Sequence, residues 1–173
     1  MSSYCASVRD LPLDNIHRQH HDSEHGTPAK SDDDLFRRLI LEISQAGLSF
    51  ETVLKKKKAI YSAFPSVAVV AQFTEQDIER LLQNPGIIRH RGKIEAAIFN
   101  AKTILELQKT HGSFASWLQS YYPQTKDGWT VLFKKTFKFT GGEIVNEFLS
   151  TSCYLPRGHS PGCRLYNPKY HAV

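Results

Sequence analysis

Cysteine is scarce in this chain of 173 residues, with only Cys5, Cys153 and Cys163. So few thiols exclude the disulfide-dense framework that holds many small secreted domains together. The start lacks a basic stretch followed by an apolar one, so no secretion signal is expected. No apolar run approaches the roughly 20 residues of a membrane-spanning helix. Cytoplasm is the expected location, and a membrane is not an expected partner. Internal repeats, low-complexity tracts and a convincing linker are also missing.

What is present suits a single domain over residues 1–173. Apolar residues make up 40% of the chain, enough for a hydrophobic core, and the length is tight for two domains. Lys and Arg number 22 against 17 Asp and Glu, for a formal charge of +5. The charge is uneven: residues 1–54 carry nine acids and five bases, net −4, so the remainder is +9. Such asymmetry points to a directed electrostatic face and to nucleic acid as the partner class, with an acidic protein or an anionic surface as the rival.

Periodicity predicts an all-α fold. Residues 1–30 are polar and read as loop with one short helix. Ser31 precedes DDDLFRRLILEISQAGLS and predicts an N-cap, with Asp34 positioned to reach back to the cap amide. Gly47 is expected to end that helix. Residues 50–64 predict a second helix, closed by Pro65, whose run Lys55 to Lys58 is either a solvated face or a phosphate contact. Residues 66–73 are Val-rich yet have no hairpin partner, so a short helix or turn is expected. Further helices are expected at 74–83, 94–108 and 114–122. Two more pieces are expected within 129–149, broken at Gly141 and Gly142, followed by an irregular tail.

A helix–hairpin–helix is predicted over about 74–108. Ile87 and Ile88 can tuck between its helices, and Gly86 permits a tight turn. The start of the following helix offers unpaired amides beside Arg89, Arg91, Gly92 and Lys93, a combination suited to a phosphate oxygen. Residues 86–102 carry net +3. An ordinary helix turn with basic surface residues would look much the same.

Three stretches together resemble the 3-methyladenine DNA glycosylase I family: HHDSEHGTP at 20–28, LEISQAGLSFETVLKKK at 41–57 and GIIRHRGKIEAAIFNA at 86–101. FKFTG at 137–141 and HSPGC at 159–163 follow in the expected order. The resemblance implies a helix–hairpin–helix fold, double-stranded DNA containing an alkylated base as partner, and a monomer. It implies hydrolysis of the N-glycosidic bond of 3-methyladenine during base-excision repair. That family lacks the catalytic aspartate of its wider relatives, and this chain has no Asp from Ile78 through Lys126.

His159 and Cys163 lie four residues apart around a Pro–Gly turn, and Cys5 and His21 offer a second thiol and imidazole. Two thiols and two imidazoles match a closed tetrahedral zinc site. The resemblance places the family's structural zinc ligands on Cys5, His21, His159 and Cys163, with His17 and His20 as alternatives to His21. Cys153 is expected to be a small buried apolar group. By the same resemblance Glu42 carries the central role, accepting a hydrogen bond from the methylated base. Phe50 stands where the family stacks a Trp, His20 falls on a pocket Tyr and titrates near neutrality, and Leu48 fills the gap left by a flipped base. His25 replaces a Trp, and Ser7 lies near another expected one. These exchanges keep a second reading open: a zinc-containing DNA-binding relative with a silent pocket.

Overall fold

Every regular element among the described residues, 4–156 and 158–171 of the computed structural model, is helical. The order is α1 (Tyr4–Val8), α2 (Ile16–Ser23), α3 (Asp32–Gln45), α4 (Phe50–Ala63), α5 (Val67–Val70), α6 (Glu75–Leu82), α7 (Arg91–His111), α8 (Phe114–Ser120), α9 (Lys126–Thr136), α10 (Gly142–Thr151) and α11 (Pro168–His171). Among the described residues no helix is long and apolar enough to cross a membrane.

α3 runs through the middle, packed by α4, α7, α8 and α10. Leu35, Phe36, Leu39, Ile40, Leu41 and Ile43 are all buried, so the helix is apolar around most of its circumference, as a central helix must be. Its start is firmly capped. Ser31 Oγ accepts from Asp34 N, while Asp34 reaches past the cap and accepts from Lys30 N at 3.0 Å. The reciprocal bond expected at the cap amide is therefore displaced by one residue. Asp32 accepts from the amides of Phe114 and Ala115 and from Gln108, which locks the start of α8 to the start of α3.

Arg38 is 3% exposed, and its guanidinium joins distant segments. It donates to Thr27 O at 2.6 Å, Thr151 O at 3.1 Å and Glu24 O at 3.3 Å, and pairs with Asp34. The polar stretch before α3 and the end of α10 are thus held by one buried cation whose donors are satisfied. Beyond α3, Phe114, Trp117, Phe133, Phe137 and Phe148 pack ring against ring and fill the space between α8, α9 and α10.

Three boundaries differ from expectation. The first thirty residues hold two helices, because Asn15 caps α2 by accepting from His17 N. α7 begins at Arg91 and ends at His111, longer at both ends than 94–108, because the His90 side chain acts as its N-cap. α9 begins at Lys126, capped by Thr125.

Lys93 lies in the first turn of α7, yet its ammonium points inward. It donates to Ser44 O at 2.9 Å and Ala46 O at 2.6 Å, so it caps the end of α3. Burial holds this ammonium below its ordinary range. Replacing it with Met takes the donor from one buried and one part-buried carbonyl, and Lys93→Met should lose roughly 1.5–3 kcal/mol in urea unfolding. An unchanged urea midpoint would contradict this tether.

Candidate functional site

The end of α3 and the start of α4 frame a small cavity system. Glu42, one turn before the end of α3, is 5% exposed and has no hydrogen-bond or ion-pair partner among the described residues. A buried carboxyl without a partner is costly to ionise. Burial, reinforced by the nearby Glu147 and Glu24, pushes its pKa up to about 8. Two cavities of about 210 and 170 Å³ meet at Glu42, Gln45 and Glu147. The first is walled by Ala46, Gly47 and Leu48. The second is walled by Tyr4, His25, Phe50 and Thr151.

The turn between the two helices is short. Gly47 adopts φ +79°, a left-handed conformation that disfavours a side chain, and Leu48 N bonds back to Gln45 O. Ser49 then caps α4 by accepting from Thr52 N. Between these fixed points Leu48 projects into solvent with 42% of its surface exposed, so it is not a core residue. Phe50 lies half-buried at the start of α4, its ring 6.2 Å from that of Tyr4. Tyr4 also meets the His25 ring at 5.0 Å.

Sequence reasoning missed Tyr4. Attention fell on Ser7, which is exposed and bonded to the Tyr4 carbonyl. An aromatic residue one place before a candidate metal ligand was the available signal. His20 lies behind Phe50, with ring centres 5.2 Å apart, and is not among the cavity-lining residues. Burial and the adjacent Lys57 ammonium press its pKa down to about 2, which corrects the expectation of titration near neutrality. Lys57 in turn pairs with Glu24 at 2.8 Å, and Tyr61 donates to the same carboxylate. Lys56 donates to Pro85 O. Two of the four consecutive lysines thus make specific internal contacts, while Lys55 and Lys58 are exposed.

At the hairpin, Ile87 is buried in the core and Ile88 is half-buried. Gly86 is required by close approach: a Cβ there would lie 2.9 Å from Ala59 Cβ on α4. Arg89 is exposed and has no ion-pair partner among the described residues. Arg91 is surrounded by Glu75, Glu79 and Glu95 and pairs with all three. Gly92 occupies the first turn of α7, beside the His90 ring. Lys93, expected at phosphate, is consumed by the α3 carbonyls described above. Here the expectation is corrected: its side chain is 8% exposed and its ammonium is already bonded.

Cys5, His21, His159 and Cys163 converge from both ends of the chain, with one ligand atom from each lying within 4.8 Å of the others. Cys5 Sγ is 3.5 Å from His159 Nδ1, and Cys163 Sγ is 3.6 Å from His21 Nε2 and 3.7 Å from His159 Nδ1. Zinc–sulfur and zinc–nitrogen bonds of about 2.3 and 2.0 Å in a tetrahedron give sulfur–nitrogen edges of roughly 3.5 Å, so the set fits such an ion. His21 Nδ1 faces Asp22 at 2.8 Å, the carboxylate contact that fixes a ligating imidazole. His21, rather than His17 or His20, is the member of the cluster. Cys153 is separate and half-buried, and burial pushes its thiol up to about 11.

A larger cavity, about 750 Å³, lies elsewhere, between the start of α3, α8 and the tail. It has no buried unpartnered acid, so volume alone does not mark the functional site.

The methyladenine glycosylase family matches residues 11–131. The chain is 37% identical over 175 residues to DNA-3-methyladenine glycosylase 1 of Escherichia coli (strain K12), covering 88% of this chain and 92% of that protein. It is 39% identical over 109 residues to a DNA-3-methyladenine glycosylase of Haemophilus influenzae, covering 62% and 59%. Among solved structures, a crystal structure of 3-methyladenine DNA glycosylase I superposes with a TM-score of 0.79 at 36% identity, over 91% of this chain and 98% of that one. The Staphylococcus aureus 3-methyladenine DNA glycosylase I superposes at 0.78 with 33% identity, over 90% and 95%. By sequence and by fold, this chain belongs to the methyladenine glycosylase family.

Proposed function

We propose that this protein is a monofunctional DNA-3-methyladenine glycosylase of base-excision repair, acting as a monomer and a single domain in the cytoplasm. The carrying observation is Glu42: a buried, unpartnered carboxyl on the wall of a cavity faced by Tyr4 and Phe50. Nothing in the fold requires an acid there, whereas a cationic purine entering the cavity would give it a partner. The named relatives act on 3-methyladenine, and that substrate suits this wall.

A base stacked in a duplex must leave the stack before its glycosidic bond is reachable. The exposed Leu48 is placed to occupy the gap. Phe50 and Tyr4 supply the aromatic surface, and Glu42 accepts a hydrogen bond from the base edge. Methylation at N3 makes the base of the nucleotide cationic. Water attacks C1′ of the sugar and the C1′–N9 bond breaks. Its electron pair goes to the base, which departs neutral, and the proton of the water passes to solvent. The products are free base and an abasic site. A leaving group this good needs no strong general acid, consistent with the missing aspartate after the hairpin. His20, behind Phe50, takes the supporting role of holding that ring.

The duplex backbone is assigned to the open amides at the start of α7, to Gly86 and Gly92 at the turn, and to Arg89. Arg91 contributes less while its three glutamates hold it. Such contacts position the duplex without reading sequence. Zinc is assigned to Cys5, His21, His159 and Cys163. With four protein ligands it leaves no open position and serves as a staple, not as an activator of water.

Three outcomes are expected. First, the protein should release 3-methyladenine from methylated duplex DNA and leave abasic sites in equal number, and Glu42→Gln should slow release by about a hundredfold, the scale of one charged hydrogen bond. The same variant should be more stable. Glu42 holds its proton up to about pH 8 in the fold but titrates as an ordinary carboxyl when unfolded, so it costs stability as pH rises from about 4.5 to 8. Glu42→Gln should therefore gain on the order of 2 kcal/mol in urea at neutral pH, with the gain vanishing near pH 4. Tight DNA binding by the natural chain without base release would favour the silent-relative reading. Second, Arg89→Ala should reduce the salt slope of DNA binding by about 0.9, the value of one phosphate contact, with little change in Lys93→Met. An unaltered slope in Arg89→Ala would remove the hairpin assignment. Third, metal analysis should find about one zinc per chain, and chelation should lower the melting temperature. A metal-free chain of undiminished stability would overturn the staple.

A further inference from the structure

The turn between α9 and α10 holds a bulky residue in a conformation it disfavours. Phe139 adopts φ +60°, in the left-handed region, where a large side chain is crowded. Its neighbours fix it there. Asn100, fully buried on α7, donates from Nδ2 to Lys138 O at 3.1 Å and accepts from Lys138 N at 2.8 Å. On the other side Thr140 Oγ1 donates to Phe133 O at 3.1 Å, and the preceding Phe137 ring is buried in the core. Between these clamps Phe139 is turned outward, with 40% of its surface exposed. A strained backbone persists only where its surroundings over-determine it, and this one does not end in a buried ring.

The ring borders the start of α7. It lies 5.9 Å from the His90 ring, and a Cβ on Gly92 would stand 3.9 Å from its edge. The Lys93 ammonium is 5.8 Å from its centre, and that ammonium bonds Ala46 O, one residue before Gly47. Phe139 thus stands between the hairpin and the Leu48 turn. Positive charge surrounds it. Lys138 is exposed, with its ammonium 4.4 Å from the centre of the half-exposed Phe99 ring, and Lys102 is exposed one turn further along α7. Neither lysine is in an ion pair among the described residues. Glu95, the acid between Gly92 and Phe99, faces Arg91 at 3.6 Å.

We propose that Phe139 is a duplex-contacting residue, whose ring packs on the deoxyribose beside the phosphate held at the start of α7, while Lys138 takes a neighbouring phosphate. This rests on the glycosylase reading above and adds an apolar anchor to its duplex contact. Charged contacts with a backbone weaken as salt rises. A ring on the hydrocarbon face of a sugar supplies affinity that salt does not screen. Because Asn100 and Thr140 fix the turn beforehand, little freedom is lost on binding. The strain at Phe139 then has a use that folding alone does not give it.

The test measures binding to a duplex carrying a tetrahydrofuran abasic site, over a range of salt, beside urea unfolding of each variant. Phe139→Gly and Phe139→Asn both remove the ring and suit a left-handed backbone. Each should bind about tenfold more weakly, the scale of burying part of an aromatic ring, with an unchanged salt slope. Phe139→Leu should restore part of the affinity. Lys138→Gln should instead lower the slope by about 0.9. Unchanged binding in both ring-deleted variants overturns the proposal. So does a reduced slope in them, or a loss of binding matched by an equal loss of stability, because the ring would then only prop up the hairpin. Release of 3-methyladenine from methylated duplex by the natural chain serves as control. If release occurs but the ring-deleted variants bind like the natural chain, this inference alone fails; if no release occurs, the glycosylase reading fails and carries this one with it.

Discussion

One buried helix carries an acid and a base a single turn apart, and they do not pair. Arg38 and Glu42 stand four residues apart on α3, a spacing at which an acid and a base commonly meet. Arg38 instead turns its guanidinium toward the helix start, where Asp34 and the carbonyls of Glu24, Thr27 and Thr151 saturate it. Long helical side chains lean toward the N-terminus, which makes that choice the natural one. Glu42 is left facing a cavity with its carboxyl unpartnered among the described residues. The packing of α3 and the chemistry of the site are thus two results of the same arrangement: had Arg38 closed on Glu42, the polar loop before α3 would be loose and the cavity would lose its free carboxyl.

Most of the helical architecture was legible in the chain, because it rests on local signals. Ser31, Ser49 and Thr74 each stand before a helix, and each has a short side chain able to bond an amide two or three residues on. The weaker reading concerned residues 4–23, where polar composition concealed two helices. α1 and α2 are held by a cap and by contacts with the far end of the chain, and neither registers in hydrophobic periodicity. His90 as a cap was similarly hidden, since imidazole is an uncommon residue in that role.

Basic residues were easy to count and hard to place. Net charge around the hairpin pointed toward phosphate, yet Lys93 satisfies the end of α3, Arg91 sits among three glutamates and Lys56 bonds a carbonyl of the turn. A sequence reports how many cations a segment has but not how many the fold has already used. Arg89 and Lys102 are exposed and have no ion pair among the described residues, so the local +3 misstates which charges are open to a duplex. Glu147 illustrates the converse. It lies over a hundred residues from Glu42, and only the packing of α10 on α3 shows that the two acids share a cavity.

The two walls of that cavity differ in what holds them. α3 and α10 belong to the core, so Glu42, Gln45 and Thr151 are fixed by close packing. Tyr4 and His25 come from the start of the chain, which has few apolar residues and borrows its order from elsewhere. Tyr4 adjoins Cys5, and the His25 ring lies 5.5 Å from that of His159. The Cys–His cluster thus stands directly behind the aromatic wall. A metal held by that cluster would let a segment too polar to build its own core present a stacking surface at a fixed distance from the carboxyl. The cluster and the pocket are thus linked through the position of two rings, Tyr4 and His25, while Glu42 is held independently by α3.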